Sequence, residues 1–336
     1  MRTGFLFTIL LSVCIFAHAQ NKQYAPVNPH ASREAQALLE RLYQSVDQGK
    51  IISALHHNNL RAGGFAMDLE RIYNASKKVP LMFGGDMGWD PQKVVDIAAG
   101  EYAKGRLVTL MWHSKRPMDH GVTDFRNECQ GTFTPEEWEQ LMTEGSEMHQ
   151  AWLDNIDEIA GYLKQLRNKD IPVLWRPYHE MNGEWFWWGN RQGERGFVKL
   201  WKMMYDRYVN YHHLDNLIWV WNANGPRNTP DNAYAYELFY PGNDYVDVLA
   251  TDIYHNDWKQ SHHDQLVELG KGKLIALGEI GHVPTLETLK TQNKFAWFMI
   301  WTGFTAPQTN TPEALKAIFD RPETVNWGDD NRRRPR

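Results

Sequence analysis

The sequence predicts an α/β chain folded as a single (β/α)8 TIM barrel, on three observations. Short β-rich apolar runs recur eight times. Most are followed by a helix-length segment, and no glycine-rich phosphate turn follows the first run. The runs are 51–55, 79–83, 107–112, 173–175, 217–221, 246–250, 274–277 and 295–301. Helices are expected over 32–48, before the first run, and over 68–76, 91–104, 135–167, 193–211, 285–291 and 311–320. Thr134-Pro135-Glu136-Glu137 has start-of-helix chemistry, a capping hydroxyl followed by proline at the first helical position. A doubly wound open sheet is the competing architecture. It would place a glycine-rich turn where this chain has His56-His57-Asn58-Asn59, and Gly84-Gly85-Asp86-Met87-Gly88 has the wrong spacing for a dinucleotide or a P-loop.

Composition narrows the function classes. The 336 residues carry 36 Lys plus Arg against 41 Asp plus Glu, a net charge of -5, so no basic surface for nucleic acid is expected. Hydrophobic residues make up 42%, against disorder, and no apolar run after the N-terminus reaches the roughly 18 residues of a membrane span. Residues 1–19 combine Arg2, an apolar stretch and Ala17-His18-Ala19, the pattern of a signal peptide, so a secreted or periplasmic protein is expected. Cys14 raises a lipid-anchored alternative, disfavoured by the bulky Val13 before it and the apolar residues after it. With Cys14 removed, Cys129 is alone and no disulfide can form within the chain. The body is expected over 20–328, as a monomer, with a frayed basic tail over 329–336. The 15 tryptophans exceed what an ordinary core needs and suggest stacking platforms for sugar rings.

In this barrel class, chemistry sits at the C-terminal ends of the strands. Those ends carry His56, His57, Asp86, Trp89, Trp112, His113, His179, Glu180, Trp221, Asn222, Asp252, Tyr254, Glu279 and Trp301. Glu180 follows the fourth run and Glu279 ends the seventh, positions that can face each other across the mouth. A lone strand-end Glu is commonly a structural carboxylate. Two of them in tryptophan-rich surroundings favour a glycosidase pair, close for a retaining enzyme and wider for an inverting one. A metal is not expected, because His179-Glu180-Met181-Asn182-Gly183 lacks the second histidine of a zinc helix. Nor is there a Gly-x-Ser-x-Gly elbow, and Gly145-Ser146-Glu147 falls inside an expected helix.

The segment Trp175-Arg176-Pro177-Tyr178-His179-Glu180-Met181-Asn182-Gly183-Glu184-Trp185-Phe186-Trp187-Trp188-Gly189 resembles glycoside hydrolase family 26, known for β-1,4-mannanases, and the resemblance spans nearly the whole mature chain. It implies a catalytic (β/α)8 domain with Glu180 as acid/base and Glu279 as nucleophile, acting on mannan without a cofactor. It further implies that Tyr254 of Asp252-Ile253-Tyr254 orients the nucleophile, that His113, His179 and Trp301 line the reactive-sugar subsite, and that Trp185 and Trp188 form an aromatic wall on the leaving-group side. Arg176 is read as a structural ion-pair partner beneath the site. Burial would keep Glu180 protonated, and hydrogen bonds from Tyr254 and Arg176 would favour an ionised Glu279. Other β-glycans and a non-catalytic carbohydrate-binding barrel remain alternatives. Residues 114–134, rich in Gly, Asp, Asn, Arg and Pro, are expected either to close one end of the groove and favour short products such as mannobiose, or to be a plain surface loop.

Overall fold

The computed structural model describes residues 24–57, 64–118 and 129–329. The expected leader with Cys14, Asn58 and Asn59, the centre of the 114–134 loop and residues 330–336 lie outside the described residues. In chain order the elements are α1 (Arg33–Asp47), β1 (Ile51–His56), α2 (Gly64–Ser76), β2 (Met82–Asp86), α3 (Pro91–Ala103) and β3 (Leu107–Trp112). They continue with α4 (Pro135–Leu141), α5 (Glu147–Arg167), β4 (Val173–Pro177), α6 (Phe197–Asp206), β5 (Leu217–Asn224) and β6 (Val248–Ile253). The chain ends with α7 (Gln260–Gly270), β7 (Leu274–Ile280), α8 (Leu286–Thr291), β8 (Phe295–Ile300), α9 (Pro312–Phe319) and a two-residue β9 (Thr324–Val325). Strands β1 to β8 pair in parallel in sequence order, and β8 and β2 both pair with β1, which closes the barrel.

Side-chain alternation with a period of two builds the interior in layers. On β6 the inward positions run Val248, Ala250, Asp252, and on β5 Ile218, Val220, Asn222, Asn224. Each strand thus passes from apolar at the floor to polar at the mouth. The floor needs a cover, and α1 supplies it: Leu38, Leu39, Leu42 and Tyr43 join one buried cluster with Ile52, Leu174, Ile218, Val248 and Trp297. A second cluster fills the layer between strands and outer helices, with Trp152, Trp175, Trp201 and Trp219 in it. Most of the tryptophan is therefore core. Trp89, Trp185, Trp258, Trp301 and Trp327 keep exposed surface, so the raw tryptophan count overstates the number of stacking platforms.

Several boundaries differ from the sequence expectation, each for a local reason. The helix expected over 135–167 is two helices: Gly145 adopts a φ of 83° and Ser146 starts α5 by accepting from the His149 amide at 3.0 Å. At the head of α4, Thr134 is the cap and Pro135 the first helical residue, as expected, and Glu137 completes a reciprocal capping box. The second strand lies at Met82–Asp86 rather than 79–83 and runs through Gly84 and Gly85. Those glycines lie past the expected end of the run, yet they belong to the strand, where a Cβ on Gly84 would lie 2.5 Å from the Met299 sulfur across the interior. Helix α7 was not anticipated, and after β5 there is only a short 3-10 turn at Tyr236–Leu238. Asp329, expected in the tail, pairs with Lys78 at 2.9 Å and belongs to the body.

One irregularity decides where the chemistry points. Along β7, Leu274 and Ala276 face the interior, so strict alternation would send Glu279 outward into the helix layer. Instead Thr251 is opposite Leu277 while Asp252 is opposite Glu279, which makes Gly278 an extra residue, a β-bulge. The bulge returns Glu279 to the mouth. Only glycine fits there, because a Cβ on residue 278 would lie 1.6 Å from Asn222 Oδ1 and 2.8 Å from Asp252 Oδ1. Gly278→Ala is therefore expected to destabilise the protein by about 1–3 kcal/mol through overpacking. By contrast, Gly100→Ala in α3, with nothing within 4 Å of the new methyl, should stabilise it by about 0.5–1 kcal/mol. Urea unfolding midpoints of the two variants check this, and equal midpoints would refute the bulge argument.

Candidate active site

The polar layer at the top of the barrel brings together most of the strand-end residues. Glu180 follows β4 in a loop where Tyr178 and Glu180 both take left-handed backbone conformations, φ 49° and 53°. Non-glycine residues adopt these only when their surroundings force them. Here the Glu180 amide donates to the Asn222 carbonyl at 2.7 Å, and the Tyr178 hydroxyl accepts from Trp152 Nε1 at 2.9 Å. The Glu180 carboxylate is capped on both oxygens, Oε2 by Trp185 Nε1 at 2.7 Å and Oε1 by the Asn224 amide nitrogen.

Glu279 enters from the opposite side. Its Oε1 accepts from Arg176 Nη1 at 2.8 Å and its Oε2 from the Tyr254 hydroxyl at 2.6 Å. Arg176 also lies 3.8 Å from Asp252 Oδ2. Oxygens of Glu180, Asp252 and Glu279 lie within 4.8 Å of one another, all three residues buried. Such a triangle could attract a cation, but the guanidinium of Arg176 already bridges two of its corners. The chemistry of the donor set is that of a compensated acid cluster.

Burial, and then the negative charge of Glu279, push the Glu180 carboxyl up to about 7. Burial and the same charge raise the Asp252 carboxyl and the Tyr254 phenol well above their ordinary values. The neighbouring imidazoles shift the other way. Burial, with His113, Arg176 and His56 nearby, holds His179 well below its ordinary value, so it is neutral at the working pH. His56 is lowered in the same way, chiefly by burial. At the end of β2, burial alone would raise the Asp86 carboxyl, but the charge and hydrogen bonds of His113 outweigh it and hold the carboxyl low. Asp86 grips His113 twice, at Nδ1 (2.6 Å) and at the backbone amide (3.1 Å).

The other expected site residues divide by position. His179 lies beside the pair, its Nε2 3.9 Å from Glu279 Oε1, with its ring edge-on to His113 at 4.6 Å. Trp301 lies flat on His56 at 3.8 Å and keeps part of its surface open at the rim, as Tyr254 and Trp185 do. Trp188 does not reach the groove wall as expected. It is fully buried, stacked beneath Phe186 at 4.4 Å and bonded through Nε1 to the His179 carbonyl at 2.8 Å. The loop folds back on itself, so Trp188 supports the wall from behind. Trp112 and Trp221 are also buried in the outer layer, because alternation turns them away from the mouth. Asn224 was missed because the fifth run was ended at 221. Had the strand been extended by three residues, the period of two would have aimed Asn224 inward beside Asn222.

The family model for glycosyl hydrolase family 26 matches residues 27–329. A mannan endo-1,4-beta-mannosidase of Thermothelomyces thermophilus is 32% identical over 311 residues, covering 87% of this chain and 60% of its own length. Mannan endo-1,4-beta-mannosidase A of Piromyces sp. is 31% identical over 252 residues, covering 72% of this chain and 39% of its own length. The chain thus spans less than two thirds of these curated relatives. Among solved structures, GH26A from Muricauda sp. MAR_2010_75 superposes with a TM-score of 0.84 at 44% identity, over 89% of this chain and 98% of that one. A beta-mannanase from a symbiotic protist of the termite Reticulitermes speratus, complexed with gluco-manno-oligosaccharide, gives 0.78 at 28% identity, over 90% and 96%. A match along 27–329, a closed parallel barrel and paired glutamates at the ends of its fourth and seventh strands lead to one assignment: the chain belongs to glycosyl hydrolase family 26.

Proposed function

We propose that the protein is a retaining endo-β-1,4-mannanase, with Glu180 as acid/base and Glu279 as nucleophile. The observation that carries the reading is the close pair of unlike carboxyls. Their oxygens lie within 4.8 Å, which suits a double displacement with a covalent intermediate and leaves no room for the water an inverting enzyme places between its carboxyls. Mannan as substrate is supported by the names of the curated relatives and by the gluco-manno-oligosaccharide bound to the termite-protist enzyme. Export, supported by the signal-like pattern over 1–19, belongs to the same proposal.

In the first step Glu180 gives its proton to the glycosidic oxygen as a Glu279 oxygen bonds to the anomeric carbon, and the leaving sugar departs with that proton. Arg176 and Tyr254 hold the attacking carboxylate at both oxygens. Ester formation then removes the Glu279 charge, the second contributor to the raised Glu180 carboxyl. Glu180 becomes a stronger acid at the moment it must persist as a carboxylate. In the second step it takes a proton from water, whose oxygen attacks the anomeric carbon and releases Glu279. His113, fixed by Asp86, and the open part of Trp301 line the side where the reacting sugar would sit, and Trp185 lies on the leaving-group side.

Reducing-end release from β-1,4-mannan by the mature protein is expected, with lower or no release from β-1,3-xylan and mixed-linkage glucan. Release from none of these polymers would reduce the chain to a carbohydrate-binding barrel. Because Glu180 must be protonated for the first step, kcat/KM should hold below pH 7 and fall about tenfold per pH unit above it. A flat profile to pH 9 would contradict the assignment. Glu180→Ala is expected to lose about 10²–10⁴-fold on mannan but far less on an aryl mannoside with a good leaving group, with partial rescue by azide. Glu279→Ala should lose activity on both substrates. Equal losses, or initial inversion at the anomeric carbon by NMR, would overturn the roles.

A further inference from the structure

The two donors that cap Glu180 share a neighbour. Arg227 lies three residues beyond Asn224, past the end of β5, and turns back toward the mouth. Its Nη1 donates to Asn224 Oδ1, and its guanidinium carbon lies 5.4 Å from the centre of the Trp185 ring. The side chain is about 10% exposed. It is steadied by Asp231 at 3.5 Å and by a pair of 2.9 Å backbone hydrogen bonds between Arg227 and Ala233. The backbone of Asn224 is pinned separately, since its amide donates to Asn182 Oδ1 at 2.8 Å and its carbonyl accepts from Asn182 Nδ2 at 2.8 Å. What Asn182 leaves free is rotation of the Asn224 amide about its last torsion. A flipped amide would set Oδ1 against the Glu180 carboxylate, where two acceptors repel. A guanidinium on Oδ1 forbids that flip, because an arginine donates and cannot accept.

Resting on the acid/base reading of Glu180, we infer that Arg227 is a positioning residue for that carboxyl, acting through the Asn224 amide and the Trp185 indole rather than by direct contact. The orientation of both donors on Glu180 depends on this one side chain. The charge of Arg227 acts in the same place. The titratable groups that act on Glu180 are Glu279 from β7, Asp252 from β6, Tyr254 just beyond it, and Arg227 from the β5 side, while Arg176 and the His179 ring lie against Glu279 and His113 lies against His179. Arg176 is committed to Glu279, so Arg227 is the cation that moderates the proton affinity of Glu180 itself. It limits how far burial and Glu279 raise that affinity.

The test uses Arg227→Met, which keeps the length and removes the charge and fork, and Arg227→Lys, which keeps the charge. Both are checked for native circular dichroism and assayed on mannohexaose across pH. For Arg227→Met, kcat should fall about tenfold with KM changed less than about twofold, and the alkaline limb of kcat/KM should move up by about half a pH unit or more while the acid limb stays. Arg227→Lys should keep the limb of the native enzyme and recover part of kcat. In an Asn224→Ala background, Arg227→Met should cost less than about threefold, because its target is gone. A limb that does not move, or fully additive losses, would overturn the proposal. A 13C-NMR titration of the Glu180 carboxyl, assigned by Glu180→Gln, reads the same shift without substrate. If the native protein cleaves none of the three polymers, the acid/base reading fails, and the titration still decides whether Arg227 controls this carboxyl.

Discussion

The buried guanidinium of Arg176 is the constraint around which the mouth of the barrel is arranged. Three carboxyl groups and a phenol meet in a largely buried space, where like charges repel far more strongly than at a surface. One arginine beneath them, hydrogen-bonded to Glu279 and close to Asp252, compensates one full charge. The rest of the cluster responds by holding protons, and Glu180 and Asp252 are both raised. The same positive charge helps to keep His56 and His179 neutral. A lysine could not replace it. Nη1 serves the two carboxylates while Nη2 turns to the Met111 sulfur at 3.0 Å, whereas an ammonium is a single point charge with a larger hydration cost.

A buried ion pair of this kind adds little to stability, since desolvation consumes most of the Coulombic gain. The stability that holds it in place comes from the aromatic shell outside. Residues 175–189 form a continuous packing unit: Trp175 lies against Tyr208, Tyr178 against Trp187 and Trp188, and Phe186 on Trp188. Gly183 and Gly189 allow this loop to close on itself, because a Cβ on either would fall less than 2.5 Å from Trp185 or from the Gly183 carbonyl. The left-handed residues Tyr178 and Glu180 are held within that shell. Local strain in the loop that carries Glu180 is thereby offset by apolar burial a few ångströms away, and Trp188, removed from the groove, fixes the His179 carbonyl and the Phe186 ring.

The barrel was legible because its signal is repeated. Eight β-rich runs separated by helical segments leave few topologies, and inward alternation predicts which strand ends meet. Spacing therefore placed His113, His179, Glu180, Tyr254 and Trp301 at strand ends, and the family resemblance alone gave them roles. The errors fall where a local signal is ambiguous. Glycines in β2 lie past the expected end of the run, one glycine and one serine split the long helix before β4, and β5 runs three residues past the expected end of its run, which hid Asn224.

What the sequence by itself determined is the order of the strands and the composition of the polar rim, because these depend on residue type and period, while the two glutamates were singled out by their strand-end positions and by the family-like motif around Glu180. Only the tertiary structure decided which way Glu279 faces, since alternation pointed it outward and the bulge at Gly278 reversed it. Only the structure separated the tryptophans at the rim from those in the core, because indole has the same hydrophobic signature in either place. It alone brought Arg227 to the two donors on Glu180, forty-seven positions away in the chain, because a link relayed through Asn224 and Trp185 leaves no trace in the local pattern of either segment.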